Sequence, residues 1–184
     1  MSNEDFYAYG RGRVGLEAVM RFQAVKRWHM IEATRIQTLA EHSAAVALLA
    51  FYIARTAPGM FTFGPAENVA AQALLHDLPE VFTGDVPSHT KRHLDGIEEL
   101  EQKVLPALFR TEPDAATKLL IKICDLADGI RFVRLHGVDV TASHAREGLE
   151  TQFNDRIEEA MTSWPRPVVN YVRDAARFFA YELS

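Results

Sequence analysis

The sequence predicts an all-α fold, one compact bundle of about six or seven helices. Three observations carry this expectation. Apolar residues recur at the three- and four-residue spacing of helices along nearly the whole chain. No run alternates apolar and polar residues as a half-buried strand does. The clearest breaks, Pro58-Gly59 and the stretch from Thr83 to Pro87, fall between the periodic segments.

Val14, Val19 and Met20 suggest a first helix. A second spans 38–55, with Leu39, Val46, Leu49 and Ile53 on a broad apolar face. Thr38 is placed to cap it, and Glu41 stands three residues later, as a capping box requires. A third starts at Pro65, where proline suits a first turn, and carries Val69, Ala73, Leu74 and Leu75 into His76-Asp77. Pro79 kinks or ends it, because proline lacks an amide donor and clashes with the preceding turn. Thr83-Gly84-Asp85-Val86-Pro87 reads as a turn, and helices follow over 94–110, 113–136, 142–162 and 166–182.

A chain of 184 residues fits a single domain, 1–184, and can bury a real core without staples. Hydrophobic residues make up 48% and charged residues 24%, as in ordinary globular proteins. The net charge of −5 argues against a nucleic-acid polymer as partner, since that needs a basic surface. A small anion in a local basic pocket remains compatible with it. One cysteine, Cys124, excludes an internal disulfide; with no signal peptide in the sequence, a reducing cytoplasm is expected. No apolar run approaches the ~20 residues of a membrane span, so no membrane association is expected.

Three polar fragments interrupt the apolar pattern: Glu41-His42-Ser43, His76-Asp77-Leu78-Pro79-Glu80 and Lys122-Ile123-Cys124-Asp125. A buried carboxylate is costly unless something pairs with it. Two histidines and two aspartates on core-facing helices suggest a shared divalent transition metal. Single histidines on apolar helices are more often satisfied core residues, so the fragments alone leave both readings open. His76 and Glu80, four apart, share a face if the helix is unbroken, and Lys122 and Asp125, three apart, do so likewise. Asp128 could share the face of Asp125 as an outer partner. His89 and His93 lack the carboxylate of a zinc-protease pair and read as surface residues near the site mouth. Neither a P-loop nor a nucleophilic triad is present.

Taken together, Arg27-Trp28, Ala40-Glu41-His42-Ser43, His76-Asp77-x-x-Glu80, Thr83-Gly84-Asp85-x-Pro87 and Lys122-x-x-Asp125 resemble the HD-domain phosphohydrolases. Within that superfamily the chain resembles the bacterial 5′-deoxynucleotidases, and equally the related phage enzymes that hydrolyse deoxyadenosine triphosphate. The resemblance spans roughly 14–135, with 142–182 expected to pack on that core. It implies His42, His76, Asp77 and Asp125 as metal ligands. It does not distinguish Co, Mn, Zn, Fe or Ni, and Mg would accompany a triphosphate. It implies Glu80 as the catalytic carboxylate and Asp85 beside the sugar 3′-hydroxyl; the simpler reading of Asp85 is a turn former. Arg27, Lys91 and Lys122 are then phosphate clamps. Trp28 is either a wall that favours deoxyribose or a core tryptophan. Met30 and Ile31 follow it as candidates for the base pocket.

The implied activity is a 5′-deoxynucleotidase, with a deoxynucleoside triphosphohydrolase as the close alternative. The short segment between Asp85 and Asp125 is more like the latter. A noncatalytic nucleotide-binding module is the remoter alternative, and the presence of Glu80 disfavours it. The resemblance also implies a homodimer or larger assembly of identical chains, with 142–162 and 166–182 as candidate interface.

Overall fold

The computed structural model describes residues 20–58, 63–91, 93–104 and 112–183. Two short strands, β1 (Lys26–Arg27) and β2 (Gln37–Thr38), precede helices α1 (Leu39–Thr56), α2 (Ala66–Leu75), α3 (Glu80–Thr83) and α4 (Ser88–Lys91). Then come α5 (Ile97–Val104), α6 (Ala115–His136), α7 (Val140–Ser163) and α8 (Arg166–Tyr181). The all-α class holds. Of the first expected helix, Val14 and Val19 lie outside the described residues, as does 105–110 of the fourth.

Caps fix where the long helices begin. Thr38 Oγ1 accepts from the Glu41 amide and Glu41 returns the bond to the Thr38 amide, completing the capping box of α1. Asp114 accepts from the Thr117 amide at the start of α6, and Asp139 from the Ala142 amide at the start of α7. Gly137 makes the tight α6–α7 connection possible. A Cβ there would lie 2.6 Å from Ala142 Cβ and 2.7 Å from the Val133 carbonyl.

α1 packs on α2 and α6, and α6 packs in turn on α7 and α8. Val46, Ile53, Leu120, Ile123, Ile130 and Val172 are fully buried in the core these helices share. Each buried aliphatic side chain of this size stabilises the fold by roughly 1.5–3 kcal/mol. A smaller cluster of Leu39, Leu78 and Val81, with Phe22 and Val25 against it, clamps the chain after α2 onto the start of α1. This second cluster sets the distance between His42 and His76-Asp77.

Two expectations need correction. The chain is not free of strands: β1 and β2 pair antiparallel, Lys26 with Thr38 and Arg27 with Gln37. Strands of two residues are too short to leave an alternating pattern. The third expected helix is also shorter. Pro65 is the N-cap of α2 rather than its first residue, and α2 ends at Leu75. His76 to Pro79 form turns, closed by bonds from Leu78 N–H to Leu75 O (3.1 Å) and from Glu80 N–H to Asp77 O (3.0 Å). Pro79 has no amide to offer Leu75, and its ring crowds that carbonyl. His76 and Glu80 therefore do not share one unbroken helix.

Candidate metal centre and cleft

Four residues from three elements converge at one point. His42 comes from α1, His76 and Asp77 from the turns after α2, and Asp125 from α6. Each offers one ligand atom, and the four atoms lie within 4.8 Å of one another. His42 Nε2 stands 3.2 Å from Asp125 Oδ1 and 3.5 Å from Asp77 Oδ2, and His76 Nε2 stands 3.3 Å from Asp77 Oδ2.

Both imidazoles are aimed. His42 Nδ1 bonds Asp128 Oδ2 at 2.7 Å, and His76 Nδ1 bonds the Ala73 carbonyl at 2.6 Å. With Nδ1–H donating outward, each Nε2 turns a lone pair to the centre, and both Nε2 atoms are buried without a hydrogen bond. Imidazoles oriented from outside, next to two carboxylates, are the donor set of a divalent transition metal. The residues present fit such an ion.

Charge is concentrated here. Burial and Arg27 lower the His42 pKa, but the close carboxylates of Asp125, Asp128 and Asp77 outweigh them and raise it to about 10 in the metal-free protein. Burial drives the His76 pKa down. Burial opposes ionisation of Asp77, yet His76, His42 and Arg27 hold it well below the usual carboxylate range. Asp125 is held low against the same burial by Lys122, His42 and Arg27. Arg27 Nη1 lies 3.0 Å from Asp77 Oδ2, and Nη2 lies 3.8 Å from Asp125 Oδ1. Lys122 Nζ lies 2.6 Å from Asp125 Oδ2, on the shared helix face expected from their spacing.

A cleft of about 480 Å³ opens over this cluster, within the usual range for small-molecule sites. Arg27, Trp28, Glu80, Asp85, Lys91 and Lys122 all line it, together with Asp77 and Asp125. Every sequence-predicted site residue is thus either in the ligand cluster or on the cleft wall. Glu80 is 7% exposed, and its Oε2 has no hydrogen-bond partner. Burial first, then Asp77 and Asp85, push its pKa up to about 9. Asp85 Oδ2 is 3.9 Å from His29 Nδ1. Lys91 Nζ reaches Glu101 at 2.7 Å and Glu80 at 3.5 Å. Met30 and Ile31 lie on the cleft wall as expected. His93 is exposed, and the side chain of His89 is outside the described set.

Trp28 is both packed against the core and part of the cleft wall. Its ring stacks on Phe132, 5.9 Å between centroids and 8° between planes, yet it also lines the cleft. The ring packs beside Gly129, where a Cβ would stand 3.4 Å from Trp28 Cζ2, in van der Waals contact.

Asp128, expected as an outer partner, bonds His42 Nδ1. Two features were not legible as site features. Gln37 sits on the unexpected ribbon. On α7, Thr141, His144, Gly148 and Gln152 form a stripe that lines the cleft. Its spacing is that of any helix face, and its mixed small and polar character matches an ordinary surface.

The arrangement suits hydrolysis of a small anionic molecule assisted by a metal. A family model described as 5′-deoxynucleotidase YfbR-like matches residues 16–125. A dATP triphosphohydrolase of Salmonella phage PMBT28 is 33% identical over 174 residues, covering 90% of this chain and 86% of the phage protein. A 5′-deoxynucleotidase of Photorhabdus laumondii is 33% identical over 100 residues, covering 50% of this chain and 51% of that one. Among solved structures, the Cyanophage S-2L HD phosphohydrolase DatZ, bound to dA and one catalytic Zn²⁺ ion, superposes with a TM-score of 0.77 at 24% identity. That match covers 91% of this chain and 96% of DatZ. Among the described residues no helix is long and apolar enough to cross a membrane. By family match and by near full-length similarity, the chain belongs to the YfbR-like 5′-deoxynucleotidase family and is a metal-dependent HD nucleotide phosphohydrolase.

Proposed function

We propose that the enzyme hydrolyses deoxynucleoside 5′-phosphates at the α-phosphorus and releases the nucleoside. The observation that carries this reading is the placement of Arg27, Lys91 and Lys122 around one cleft whose floor is the His–Asp cluster. In this reading His42, His76, Asp77 and Asp125 hold one divalent transition metal. When bound, such an ion supplies Lewis acidity at the phosphate and lowers the pKa of water.

The chain's own residues do the rest. Arg27 exchanges its contacts with Asp77 and Asp125 for the phosphate, which guanidinium grips through two parallel bonds. Lys122 and Lys91 add positive charge where negative charge must be held, the main work in phosphoryl transfer. Glu80, buried and with a raised pKa, is the proton carrier between the attacking water and the leaving 5′-oxygen. Asp85 accepts from the sugar 3′-hydroxyl. Trp28 presents an apolar face to the 2′ position, where an unpartnered ribose hydroxyl is penalised.

Two substrate forms follow, and they differ in how much phosphate the cleft holds. The triphosphate form, with nucleoside and triphosphate as products, draws support from the phage relative that aligns along most of both chains. The monophosphate form, a 5′-deoxynucleotidase, draws support from the family model and the bacterial relatives. Deoxyadenosine compounds are the first to test, given the names of the relatives. An assembly of identical chains belongs to the same reading.

The experiment is product analysis. Purified protein is loaded with Co²⁺, Mn²⁺ or Zn²⁺ and incubated with each dNMP and dNTP, and products are separated by ion exchange. Free nucleoside is expected. Triphosphate or phosphate beside it tells the two forms apart, and absence of nucleoside from every substrate sinks the proposal.

A further inference from the structure

A continuous chain of hydrogen bonds runs from the cleft wall to the metal cluster through two residues that are not part of that cleft's lining. Trp28 Nε1–H donates to Gln37 Oε1 at 2.7 Å. Gln37 Nε2–H donates to Asp128 Oδ2 at 2.8 Å. His42 Nδ1 meets the same Oδ2 at 2.7 Å. Gln37, Asp128 and His42 are 3%, 2% and 0% exposed, so no water competes for these bonds.

The direction of each bond is dictated by the groups. An indole N–H only donates, so the Gln37 oxygen must face Trp28. The amide nitrogen then faces Asp128, whose carboxylate accepts it. The same oxygen accepts from His42, which places the imidazole proton on Nδ1 and leaves Nε2 free for the cluster. A change at either end is therefore felt at the other.

The backbone fits the same purpose. Trp28 has φ = 64°, the left-handed region that bulky residues avoid. Strain of this kind persists only where the surroundings hold it. Here the holding contacts are the stack on Phe132, the packing over Gly129 and the bond to Gln37. The pairing of Arg27 with Gln37 fastens the Arg27-Trp28 segment to the residue that relays to Asp128.

We propose that Gln37 and Asp128 are positioning residues that couple metal ligation by His42 to the setting of the Trp28 wall. Metal loading tightens the wall, and the wall in turn supports metal loading, since such coupling is reciprocal. The part concerning the sugar rests on the deoxynucleotide reading above; the part concerning the metal does not.

The test uses the full chain, Zn²⁺ as the probe, and Gln37→Met, which keeps the side-chain length and removes both bonds. Zn²⁺ affinity is measured by chelator competition, and exchange of the Trp28 indole N–H by ¹⁵N NMR with and without Zn²⁺. Trp28→Phe identifies the indole signal against that of Trp164. The expected results are about tenfold weaker Zn²⁺ binding by Gln37→Met, the scale of losing an outer partner of a metal ligand, and slower indole exchange in the wild type once Zn²⁺ is present. Zn²⁺ affinity equal to wild type, or indole exchange indifferent to Zn²⁺, overturns the proposal. Should Gln37→Met fail to fold, the wild-type exchange experiment decides by itself. With a deoxynucleotide and its ribonucleotide counterpart as substrates, Gln37→Met is also expected to narrow the wild-type preference for the deoxy form, and an unchanged preference removes the sugar part. If no deoxynucleotide is turned over by the wild type, the functional reading fails while the metal and exchange measurements still judge the coupling.

Discussion

Glu101 on α5, itself buried, holds the Lys91 ammonium at 2.7 Å. Glu80 stands 3.5 Å from the same nitrogen. Burial lowers the Lys91 pKa, but the bond to Glu101 and the charge of Glu80 outweigh it and raise it. Lys91 therefore enters the cleft fully charged but partly neutralised by its neighbours. Glu101→Gln keeps an acceptor for Lys91 and removes one negative charge beneath it. The KM for a deoxynucleoside triphosphate is expected to fall about threefold at low salt, with the gain shrinking as salt rises. A smaller effect is expected for a monophosphate. Steady-state kinetics with both substrates at two ionic strengths checks this.

Asp125 serves three partners, the His42 ring, the Lys122 ammonium and the Arg27 guanidinium, and its carboxylate is one of the four converging ligand groups. A ligand that binds only the folded state raises stability by mass action. Saturating Zn²⁺ or Co²⁺ is thus expected to raise the Tm of the wild type. Asp125→Ala is expected to abolish that rise and the bound metal together. Calorimetric scans with metal analysis by mass spectrometry give both readouts. A variant that keeps its metal and its Tm shift would remove Asp125 from the ligand set.

Much of this site was legible because its residues contradict their surroundings. His42, Asp77 and Asp125 are polar groups inside apolar helical patterns, and burial makes such groups costly unless they share a partner. The helices were legible for the same reason that the ribbon was not: a period of three to four residues needs length to show, and β1 and β2 have two residues each. Gln37 and Glu101 left no local signal, because neither stands at helical spacing from the group it acts on. Gln37 reaches Asp128 across 91 positions. The break at Leu75 was half legible. Pro79 announced an interruption, but which residue before it leaves the helix depends on the packing of Leu78 and Val81 against Leu39.

Glu80 gives a pH-dependent stability with a defined sign. Its ordinary pKa of 4.5 rises to about 9 in the metal-free fold, chiefly through burial and then through Asp77 and Asp85. A carboxyl with a raised folded-state pKa binds its proton more tightly in the native than in the unfolded state. Its contribution is present in full below the unfolded pKa and is lost as pH climbs toward the folded one. Stability of the metal-free wild type relative to Glu80→Gln is therefore expected to decline from near pH 4.5 to about pH 9, then level off. His42 and the other groups titrate in both proteins, so the difference isolates Glu80. Urea midpoints in the presence of a chelator measure it across this range. The same variant, loaded with metal, is expected to lose about 10²–10⁴-fold in kcat, the usual loss for a proton carrier, with its metal content unchanged.

Gly148 tests the wall of the cleft that the sequence did not announce. It lies inside α7, is exposed, and lines the cleft. A Cβ built on it meets nothing within 4 Å, so the space beside it is open. Glycine in a helix interior costs about 0.8–1.0 kcal/mol relative to alanine. Gly148→Ala is therefore expected to raise stability by about that amount and to leave the metal centre untouched. Gly148→Phe projects a ring into the same open space. Because α7 supplies no ligand to the His–Asp cluster, Zn²⁺ affinity should stay at the wild-type value while the nucleotide KM rises about tenfold or more, the scale of losing well-packed ligand contacts. Calorimetry, chelator competition and steady-state kinetics on the two variants separate these effects. Nucleotide binding that is indifferent to the phenylalanine would place the nucleoside away from α7.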